Sequence, residues 1–425
     1  MRPDLELAQT VRTEGARILA TLVRTVGSLQ LAEDAVQEAA IRALRDWPRH
    51  GVPDEPRAWL TVTARRAAID MLRRENARLG KEREGTELMS AAEPPPPDSV
   101  VRDDQLRLIF TCCHPALALD AQVPLALRTL CGLSPAQIAN VLLTSEAAIA
   151  KRLTRTRAKI ARAAIPYRVP RDDELPDRLA GVCAVLHSLY TEAHTARSGA
   201  AVSDVDGCAE AVRLARLVHD LLPDEPMPMA VLSLVLLTDA RRPARTDADG
   251  EVVVLAAQDR SRWDPALIAE GLRLLDDSLR RTGAVADPYQ LQAAIAAEHA
   301  RAPSYAATDW AEIVRLFDLL LSVRPTTAAA LARAVSVAEA DGTDAGLAAL
   351  DTLTLDSRWH AVRGDLLARA GRWDEAVAAT RASLDGGVSA PERRYRERRI
   401  AEWSAYAAHP KIDGADESGS AGAAH

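Results

Sequence analysis

The sequence predicts an all-α protein, and its composition carries the prediction. Hydrophobic residues make up 48% of the 425 residues, enough for sizeable cores, whereas aromatic residues make up only 4%. Alanine and leucine dominate the apolar residues, and the alternating β-branched runs that are typical of half-buried strands are rare. We therefore expect two small helical modules followed by an α-helical, repeat-like C-terminal domain.

The first module is predicted from two amphipathic helices and a long basic one. The segment Arg12–Arg45 contains two amphipathic helices with a break near Gly27 and Ser28, and a stiff, proline-rich loop is expected over Trp47–Pro56. A long helix follows, and Arg57–Arg83 holds eight basic residues against three acidic ones. One side of that helix is lined by Leu60, Ala64, Ala67 and Met71, and the other by Val62, Arg65, Arg66, Ile69 and Arg73. This side-by-side pattern predicts a cationic patch on a helix that is packed along its apolar side.

An acidic linker separates the two modules. The segment Glu84–Asp104 contains four consecutive prolines, Pro94 to Pro97, and proline cannot continue a helix. The linker is therefore expected to be extended and flexible, so that the two modules can contact DNA at separated places.

The second module has the marks of a helix-turn-helix. Ser134 to Gln137 forms a capping box with proline at the first helical position, and Ser145 can cap a second helix. Ile149, Leu153, Thr156 and Ile160 line one side of that second helix. From Lys151 to Arg168 the chain carries seven basic residues and no acidic one. Two short helices, a tight turn and a basic second helix favour a DNA-reading module over an ordinary hairpin with a solvated face.

The C-terminal half is predicted to consist of helical hairpins. Arg363–Leu384 places Gly364, Leu367, Trp373, Ala376 and Thr380 close to tetratricopeptide spacing. Pro223 and Pro325 follow two similar helix ends and lie three repeats of about 34 residues apart. Between them, a turn at Asp247–Gly250 is expected to lead into a strand over Val252–Leu255.

Charge is divided unequally along the chain, whose formal net charge is −7. Of its 53 basic and 60 acidic residues, 25 and 20 lie within 1–170, which leaves 28 and 40 for the rest. The positive charge therefore belongs to the two modules and the acidity to the C-terminal half. The N-terminus does not read as a signal peptide, no apolar run is long enough to span a membrane, and five cysteines without a paired pattern indicate a reduced, cytoplasmic protein.

Metal-binding and catalytic sites are not expected. Cys112, Cys113 and His114 are adjacent, whereas zinc ligands need wider spacing, and helix packing is the favoured interpretation. Asp247–Gly250 lacks the distal glutamate of a calcium loop. No phosphate-binding glycine loop or nucleophile elbow is present, so the sequence predicts no catalytic residue, no metal, no cofactor and no enzyme.

Three segments in series carry a family resemblance. “LAEDAVQEAAIRAL” at Leu31–Leu44, “EPRAWLTVTARRAAIDMLRR” at Glu55–Arg74 and “SPAQIANVL…KRLTRTRAKI” resemble regions 2 and 4 of an extracytoplasmic-function sigma factor of the sigma-70 family. With “TCCHPAL” at Thr111–Leu117 and the acidic extension, the chain is similar to the subgroup with a tetratricopeptide-like tail. The resemblance implies region 2 over 1–83, a linker over 84–104, region 4 over 105–168, the extension over 172–409 and a disordered tail over 410–425.

The resemblance also implies partners and contact residues. Asp34, Gln37 and Glu38 match the face that docks on the clamp helices of the polymerase β′ subunit, and the family also contacts the β flap. The Trp47–Pro56 loop matches the segment that captures a flipped base of the −10 element. The residues that match the promoter-binding positions are Trp59, Arg65, Arg66, Arg73 and Arg74 for the −10 element, and Ser145, Lys151, Arg152 and Arg155 for the −35 element. Core RNA polymerase and promoter DNA are the expected partners.

Alternatives stay open at this point. Trp59 is interpreted either as core packing or as a nucleic-acid contact. A one-component helix-turn-helix regulator with a sensing helical domain would also combine a DNA-reading module with a helical tail, as would a repeat scaffold with an incidental basic head. Because opposite charges attract, we further expect the acidic extension to contact one or both sigma modules, either masking or bracing them.

Overall fold

The computed structural model describes residues 2–26, 29–80, 101, 103–142, 144–162, 171–195, 202–283, 286–353, 357–385 and 388–408. Eighteen α-helices lie within those ranges, which contain no β-strand beyond a single bridge between Thr246 and Val252. The all-α prediction is confirmed. Most of the predicted acidic linker, and the predicted tail over 410–425, lie outside the described residues.

Close contact between small residues builds the first bundle. Its helices are α1 (Pro3–Val26), α2 (Leu29–His50) and α3 (Pro56–Gly80), each packed against the other two. The buried face of α2 consists largely of alanines, and Ala35 meets Ala67 and Ala68 of α3 in one apolar cluster. Short side chains let two helix backbones approach closely.

The second helix runs further than the sequence predicts. Trp47 is buried within α2, and Pro48 is also helical, so the start of the expected Trp47–Pro56 loop is wrong. The helix ends at Gly51, which has φ of 87° and whose N–H donates to the Trp47 carbonyl at 3.0 Å. Glycine tolerates this left-handed conformation, and it therefore sets the end of the helix.

Four short helices form the second module. They are α4 (Asp104–Cys112), α5 (Leu119–Cys131), α6 (Pro135–Val141) and α7 (Glu146–Arg162). The module packs through α4 on α5, α5 on α6 and α7, and α6 on α7. Gly132, with φ of 61°, ends α5 and starts the connection to α6. The predicted helix-turn-helix corresponds to α6 and α7.

Four further helices continue the chain. They are α8 (Leu179–Thr195), α9 (Val205–Leu221), α10 (Pro226–Asp239) and α11 (Pro265–Arg281). The helix α8 packs against α4, α5, α9 and α10. Gly271 of α11 lies so close to α10 that a Cβ atom there would meet the Leu237 side chain at 2.7 Å, and Ser233 Oγ donates to the Gly271 carbonyl at 2.7 Å.

The chain divides into two compact units. One comprises Met1–Thr195, Ser203–Asp239 and Ala269–Val285, and the other comprises Ala196–Val202, Ala240–Ile268 and Ala286–His425. The first unit thus contains α1–α10 and most of α11.

The strand predicted over Val252–Leu255 does not form. Only Val252 makes a bridge, and Leu255–Ala257 is a turn of 3-10 helix. The turn before it is as predicted, because Asp247 Oδ1 accepts from the N–H groups of Asp249 at 3.0 Å and Glu251 at 2.9 Å. Such a side-chain turn satisfies the backbone locally, and the valines lack a partner strand long enough to make a ladder.

The second unit contains helices in a row. They are α12 (Pro288–Arg301), α13 (Trp310–Val323), α14 (Thr327–Asp341), α15 (Thr343–Leu350), α16 (Ser357–Arg369), α17 (Trp373–Ala382) and α18 (Ala390–Ala408). Each of them packs against the next along the chain. That arrangement is typical of helical-hairpin repeats.

The predicted tetratricopeptide-like hairpin corresponds to α16 and α17. A Cβ atom at Gly364 would lie 2.1 Å from Thr380 Oγ1 and 3.3 Å from the Ala376 carbonyl oxygen. Leu367 is buried between the helices, and Trp373 packs against the same core. The small residue at position 364 is therefore what permits the close crossing.

Candidate nucleic-acid interface

The helix α7 has one buried side and one cationic side. Ile149, Leu153, Thr156 and Ile160 are buried. The side chains of Lys151, Arg155 and Lys159 are exposed, and that of Arg152 is partly exposed. Positions three and four apart share a helix face, so the apolar and cationic stripes stay separate.

Caps fix the start of both helices of the predicted helix-turn-helix. Ser134 Oγ accepts from the Gln137 N–H at 3.2 Å, and Gln137 Oε1 accepts from the Ser134 N–H at 2.9 Å, which completes the predicted capping box. Ser145 Oγ accepts from the Ala148 N–H at 3.2 Å. Ser145 therefore acts as the N-cap of α7.

A concave pocket lies between α7 and the N-terminus of α5. It has a volume of about 420 Å³ and is lined by Leu117, Ala118, Asp120, Ala121, Ala148, Lys151, Arg152, Arg155, Thr156 and Lys159. The N-cap residue of α5, Ala118, provides no side-chain cap. An uncapped helix N-terminus beside several cations attracts anions such as phosphate groups.

Two of the pocket cations already contact the protein. Arg152 donates to the Asp120 carbonyl at 3.2 Å, and its Nε lies 3.7 Å from the Asp120 carboxylate. Lys159 Nζ donates to the Ala116 carbonyl. Asp120 thus fixes the position of Arg152, whereas Lys151 and Arg155 point their charge to the exposed side of the helix.

The helix α3 exposes arginine and apolar side chains together. Arg65, Arg66, Arg73 and Arg74 are exposed, and so are Val62, Ile69 and Leu72. Arg73 lies 4.0 Å from Asp70, a helix-surface pair. A surface that mixes guanidinium and apolar groups can contact both the backbone and the unstacked bases of a single strand.

Trp59 packs and is also partly accessible. Its ring meets that of buried Trp47 edge-on, with centroids 5.7 Å apart and an angle of 69°. The Trp59 side chain is half-buried. Packing is therefore part of its role, and the remaining exposed part leaves the nucleic-acid prediction open.

The residues expected to bind polymerase lie on the outer side of α2. Asp34 and Gln37 are exposed, and half-buried Glu38 accepts from Arg42 Nε at 2.9 Å. Further along the helix, Ile41 and Leu44 are 43% and 54% exposed. These two apolar residues were missed by sequence reasoning, although their spacing from Asp34 and Gln37 is helical.

Region 2 also contacts α7. Arg157 donates to Glu33 at 2.9 Å, and α1 packs against α4 and α5. Burial raises the pKa of Glu33 above its ordinary value, and the charge of Arg157 opposes that shift. Nothing in the sequence signals this pair, because 124 positions separate its members.

Helix α8 is built into the second module. The side chain of Arg178, just before α8, is only 4% exposed and donates to the Phe110 carbonyl at 2.8 Å. Gly181 packs so closely that a Cβ atom would lie 2.0 Å from Gln122 Oε1 and 3.0 Å from Cys113 Sγ. A glycine inside an apolar helix was the available sequence signal for this close approach.

An arginine network extends the contact. Arg213 of α9 donates to Asp103 at 2.8 Å, to Gln105 at 2.9 Å and to Glu210 at 2.7 Å. Asp103 is the N-cap of α4, and Glu210 lies 3.7 Å from Arg17 of α1. These hydrogen bonds to carboxylates raise the pKa of Arg213, so it stays charged. The expected contact between extension and modules is thus present within the first unit.

The cysteines pack in the interior. Cys112, Cys113, Cys183 and Cys208 are buried, and burial raises the pKa of Cys112 to about 12. The Cys112 thiol is therefore protonated at neutral pH and unreactive. Across the described ranges, no cluster of three or more histidine, cysteine or acidic side chains is arranged to hold a metal ion.

Three segments match known families. Residues 10–78 match Sigma-70 region 2, residues 107–160 match Sigma-70 region 4, and residues 178–279 match a family of unknown function, DUF6596. Among the helices described, none has the length and apolar character needed to cross a membrane.

Relatives cover the chain to different extents. An uncharacterized protein of Rhizobium meliloti, R00370, is 40% identical over 390 residues, which are 89% of this chain and 91% of that protein. A probable ECF RNA polymerase sigma factor, SigI, of Mycobacterium tuberculosis is 31% identical over 156 residues, 35% of this chain and 52% of SigI. The similarity to SigI therefore spans about half of that protein. No solved structure matches the chain.

The two sigma-70 regions occur in order along the chain, at 10–78 and 107–160, and helices follow them. The chain belongs to the sigma-70 family, in the extracytoplasmic-function group of RNA polymerase sigma factors that carry a helical C-terminal extension.

Proposed function

We propose that this sigma factor binds core RNA polymerase and directs it to promoters. There it recognises the −35 and −10 elements and melts the promoter duplex. The observation that carries the proposal is the one-sided cationic face of α7, set beside the uncapped N-terminus of α5. A sigma factor needs such a face to read the −35 element while its other module binds the −10 element.

The −35 element is read by α7. Lys151 and Arg155 are the exposed cations that reach base edges, and Arg152 is held by Asp120 at the side of the pocket. Ser145 orients the helix through its cap. Arginine and lysine donate to guanine in the major groove, and the pocket takes a backbone phosphate.

The −10 element is held by α3. Arg65, Arg66, Arg73 and Arg74 bind the strand backbone, and exposed Ile69 and half-buried Trp59 contact unpaired bases. Stacking and backbone contacts offset the few kcal/mol that unstacking a base costs. Melting follows because the protein binds the open strand better than the closed duplex.

Polymerase docks on the outer side of α2. Asp34, Gln37 and Glu38 face the clamp helices of β′, and the exposed pair Ile41 and Leu44 adds an apolar contact. An apolar centre with a polar rim is the usual anatomy of a protein interface. Region 4 is the module that meets the β flap.

The extension braces region 4. Arg178, Gly181 and Arg213 tie α8 and α9 to α4 and α5 by a buried hydrogen bond, a close backbone approach and an ion-pair network. We assign region 2 to 1–83, the linker to 84–104, region 4 to 105–168 and the extension to 172–409. The cytoplasm, where RNA polymerase acts, is the place of action.

In vitro transcription tests the proposal. Purified chain and core enzyme are combined on the gene's own upstream DNA, and promoter-duplex binding is measured with and without core. Initiation that needs both chain and core supports a sigma factor. Tight, specific duplex binding by the chain alone, with no initiation on adding core, supports a one-component regulator instead.

A further inference from the structure

One acidic residue lies within the cationic pocket beside α7. Between Gln105 and Arg162 the sequence has eight basic residues and two acidic ones, Asp120 and Glu146. Asp120 is in the first turn of α5 and lines the pocket together with four cations, and its side chain is 66% exposed. A carboxylate at a surface that is proposed to bind DNA repels phosphate. It therefore weakens DNA binding unless it acts on a neighbouring side chain.

The neighbouring side chain is that of Arg152. Its Nη1 donates to the Asp120 carbonyl at 3.2 Å, and its Nε lies 3.7 Å from the Asp120 carboxylate. These two contacts join α7 to the start of α5, and the carboxylate balances the charge of the guanidinium. Arg152 thus differs from Lys151 and Arg155, whose charged side chains are exposed on the same helix.

A DNA phosphate has to replace the Asp120 carboxylate in order to bind Arg152. A guanidinium binds carboxylate and phosphate through the same fork of N–H groups, so the two anions compete for it. A phosphate bound there would also lie beside the displaced carboxylate, and placing like charges together is unfavourable. Without the carboxylate, Arg152 can bind a phosphate on any sequence, because phosphate contacts carry no base information.

We propose that Asp120 is a specificity-determining residue of the −35 contact, because its carboxylate withholds Arg152 from non-specific phosphate binding. In a non-specific complex, the protein can shift along the duplex until a free cation meets a phosphate. In the specific complex, the bases that Lys151 and Arg155 contact fix the register, and the nearby phosphate is already held at the start of α5. Loss of the carboxylate should therefore favour non-specific DNA more than the promoter. The inference rests on the −35 reading proposed above for α7.

A simpler role for Asp120 is to stabilise α5. The residue lies in the first turn, where a negative charge interacts favourably with the helix dipole. That role needs the carboxylate alone, and Arg152 has no part in it. The proposed role requires both residues, so the test combines substitutions at both positions.

Binding of the full chain to two DNA duplexes tests the proposal. One duplex is the gene's own upstream DNA, and the other contains the same bases in scrambled order. Affinities are measured with and without core polymerase over a series of salt concentrations, at a temperature at which every variant is folded. The variants are Asp120→Asn, Asp120→Glu, Arg152→Gln and the double variant Asp120→Asn/Arg152→Gln. The matched control is Glu146→Gln, alone and combined with Arg152→Gln, which removes an equal charge from the first turn of α7.

Asp120→Asn should raise the affinity for the scrambled duplex about twofold to fivefold, the range for a partly exposed pair. The slope of log affinity against log salt should steepen by about one, because Arg152 gains a phosphate contact. The preference for the upstream duplex should fall. Asp120→Glu, which keeps the carboxylate, should leave all three quantities close to those of the wild type. In the Arg152→Gln background, Asp120→Asn should have no effect, whereas the effect of Glu146→Gln should persist.

Two results would overturn the proposal. One is an unchanged affinity and salt slope of Asp120→Asn on the scrambled duplex. The other is an equal change in the Arg152→Gln background, which would make Asp120 a general repulsive charge. If the wild-type chain does not prefer the upstream duplex even with core polymerase, the proposed −35 reading fails. The change on the scrambled duplex, and its dependence on Arg152, then still decides whether Asp120 withholds Arg152 from phosphate.

Discussion

At the scale of single residues, Arg155 is the side chain for which we propose base reading. It is exposed on α7, whereas neighbouring Arg152 is bound to Asp120. We expect Arg155→Ala to weaken −35-dependent transcription by ~1–3 kcal/mol, concentrated on particular base pairs, and to leave core binding intact. Transcription from a set of −35 variants with single base changes measures the effect.

The control for that prediction lies on the same helix. Arg162 is exposed in the last turn of α7. Arg162→Ala should lower transcription by the same factor on every promoter variant, as expected for a phosphate contact. If Arg155→Ala behaves in that way too, Arg155 is a phosphate contact and base reading belongs to another residue.

His299 should make stability depend on pH. Burial, with Arg241 and Arg260 nearby, lowers the pKa of His299 from 6.5 to about 4. At pH values between these two pKa values, His299 is protonated in the unfolded chain and neutral in the folded chain. The free energy of unfolding therefore falls as the pH drops from about 6.5 to about 4. His299→Gln should remove about 1–3 kcal/mol of this loss.

Urea unfolding of both chains across that pH range measures the effect. The carboxylates titrate in both chains, so the difference between wild type and His299→Gln isolates the imidazole. Parallel curves for the two chains would contradict the assignment.

How much of the site could be predicted depends on whether its signal is local. The cations of α7 and α3 follow from helical phase, since residues three and four apart share a face. The Asp120 contact of Arg152 and the Glu33 contact of Arg157 join distant parts of the chain. No local pattern specifies such contacts, so sequence reasoning missed them.

At the scale of elements, the fit of α8 against region 4 depends on Gly181. A Cβ atom there would overlap Gln122 Oε1 at 2.0 Å and press on Cys113 at 3.0 Å. Gln122 cannot turn away freely, because its Nε2 donates to the carbonyls of His114 at 3.1 Å and Leu117 at 2.8 Å. Gly181→Ala should therefore lower the free energy of unfolding by about 1–3 kcal/mol.

A second substitution tests that mechanism. Gln122→Ala should itself destabilise the chain, but Gly181→Ala should cost much less in that background, since the overlap with Gln122 is gone. Gly283→Ala is the matched control, because a Cβ atom at Gly283 meets nothing within 4 Å. If Gly181→Ala and Gly283→Ala lowered the free energy of unfolding equally, the close packing at Gly181 would be contradicted.

The outer side of α2 can be tested by charge reversal. Asp34 is exposed opposite buried Ala32 and Ala35, so Asp34→Arg should abolish retention of core polymerase with little effect on the thermal midpoint. The matched control is Glu397→Arg, an exposed mid-helix acid of α18. Retention of core enzyme by Asp34→Arg at physiological salt would contradict the docking face.

Helix boundaries were predicted well where the sequence carries local capping and proline signals. The capping box of Ser134 and Gln137 gave the start of α6, and the proline before Ala136 agreed with it. The valines after Gly250 failed as a strand because a strand needs a partner that no local pattern supplies. Pro48 likewise suggested a loop, but packing of Trp47 keeps that turn helical.

At the scale of the whole molecule, charge alone suggested how the extension meets the modules. The extension is acidic and the modules are basic, which favours an electrostatic attraction. The contact itself rests on buried α8, with Val182, Cys183 and Leu186 in the interior, and on two arginine sites. Apolar burial is non-directional and does not depend on charge, so counting charges along the sequence cannot reveal it.

The last prediction follows from that difference. When residues 1–165 and 166–425 are produced together as separate chains, they should associate, and their affinity should change little between low and high salt. Apolar burial does not respond to screening, and the guanidinium of Arg178 is buried and therefore screened weakly. Association should also show a negative heat-capacity change, the mark of apolar burial. Calorimetry at two salt concentrations and several temperatures measures both quantities. If the affinity falls steeply at high salt, the two chains are held together by electrostatic attraction. If the heat-capacity change is near zero, burial of the apolar residues of α8 does not drive the association.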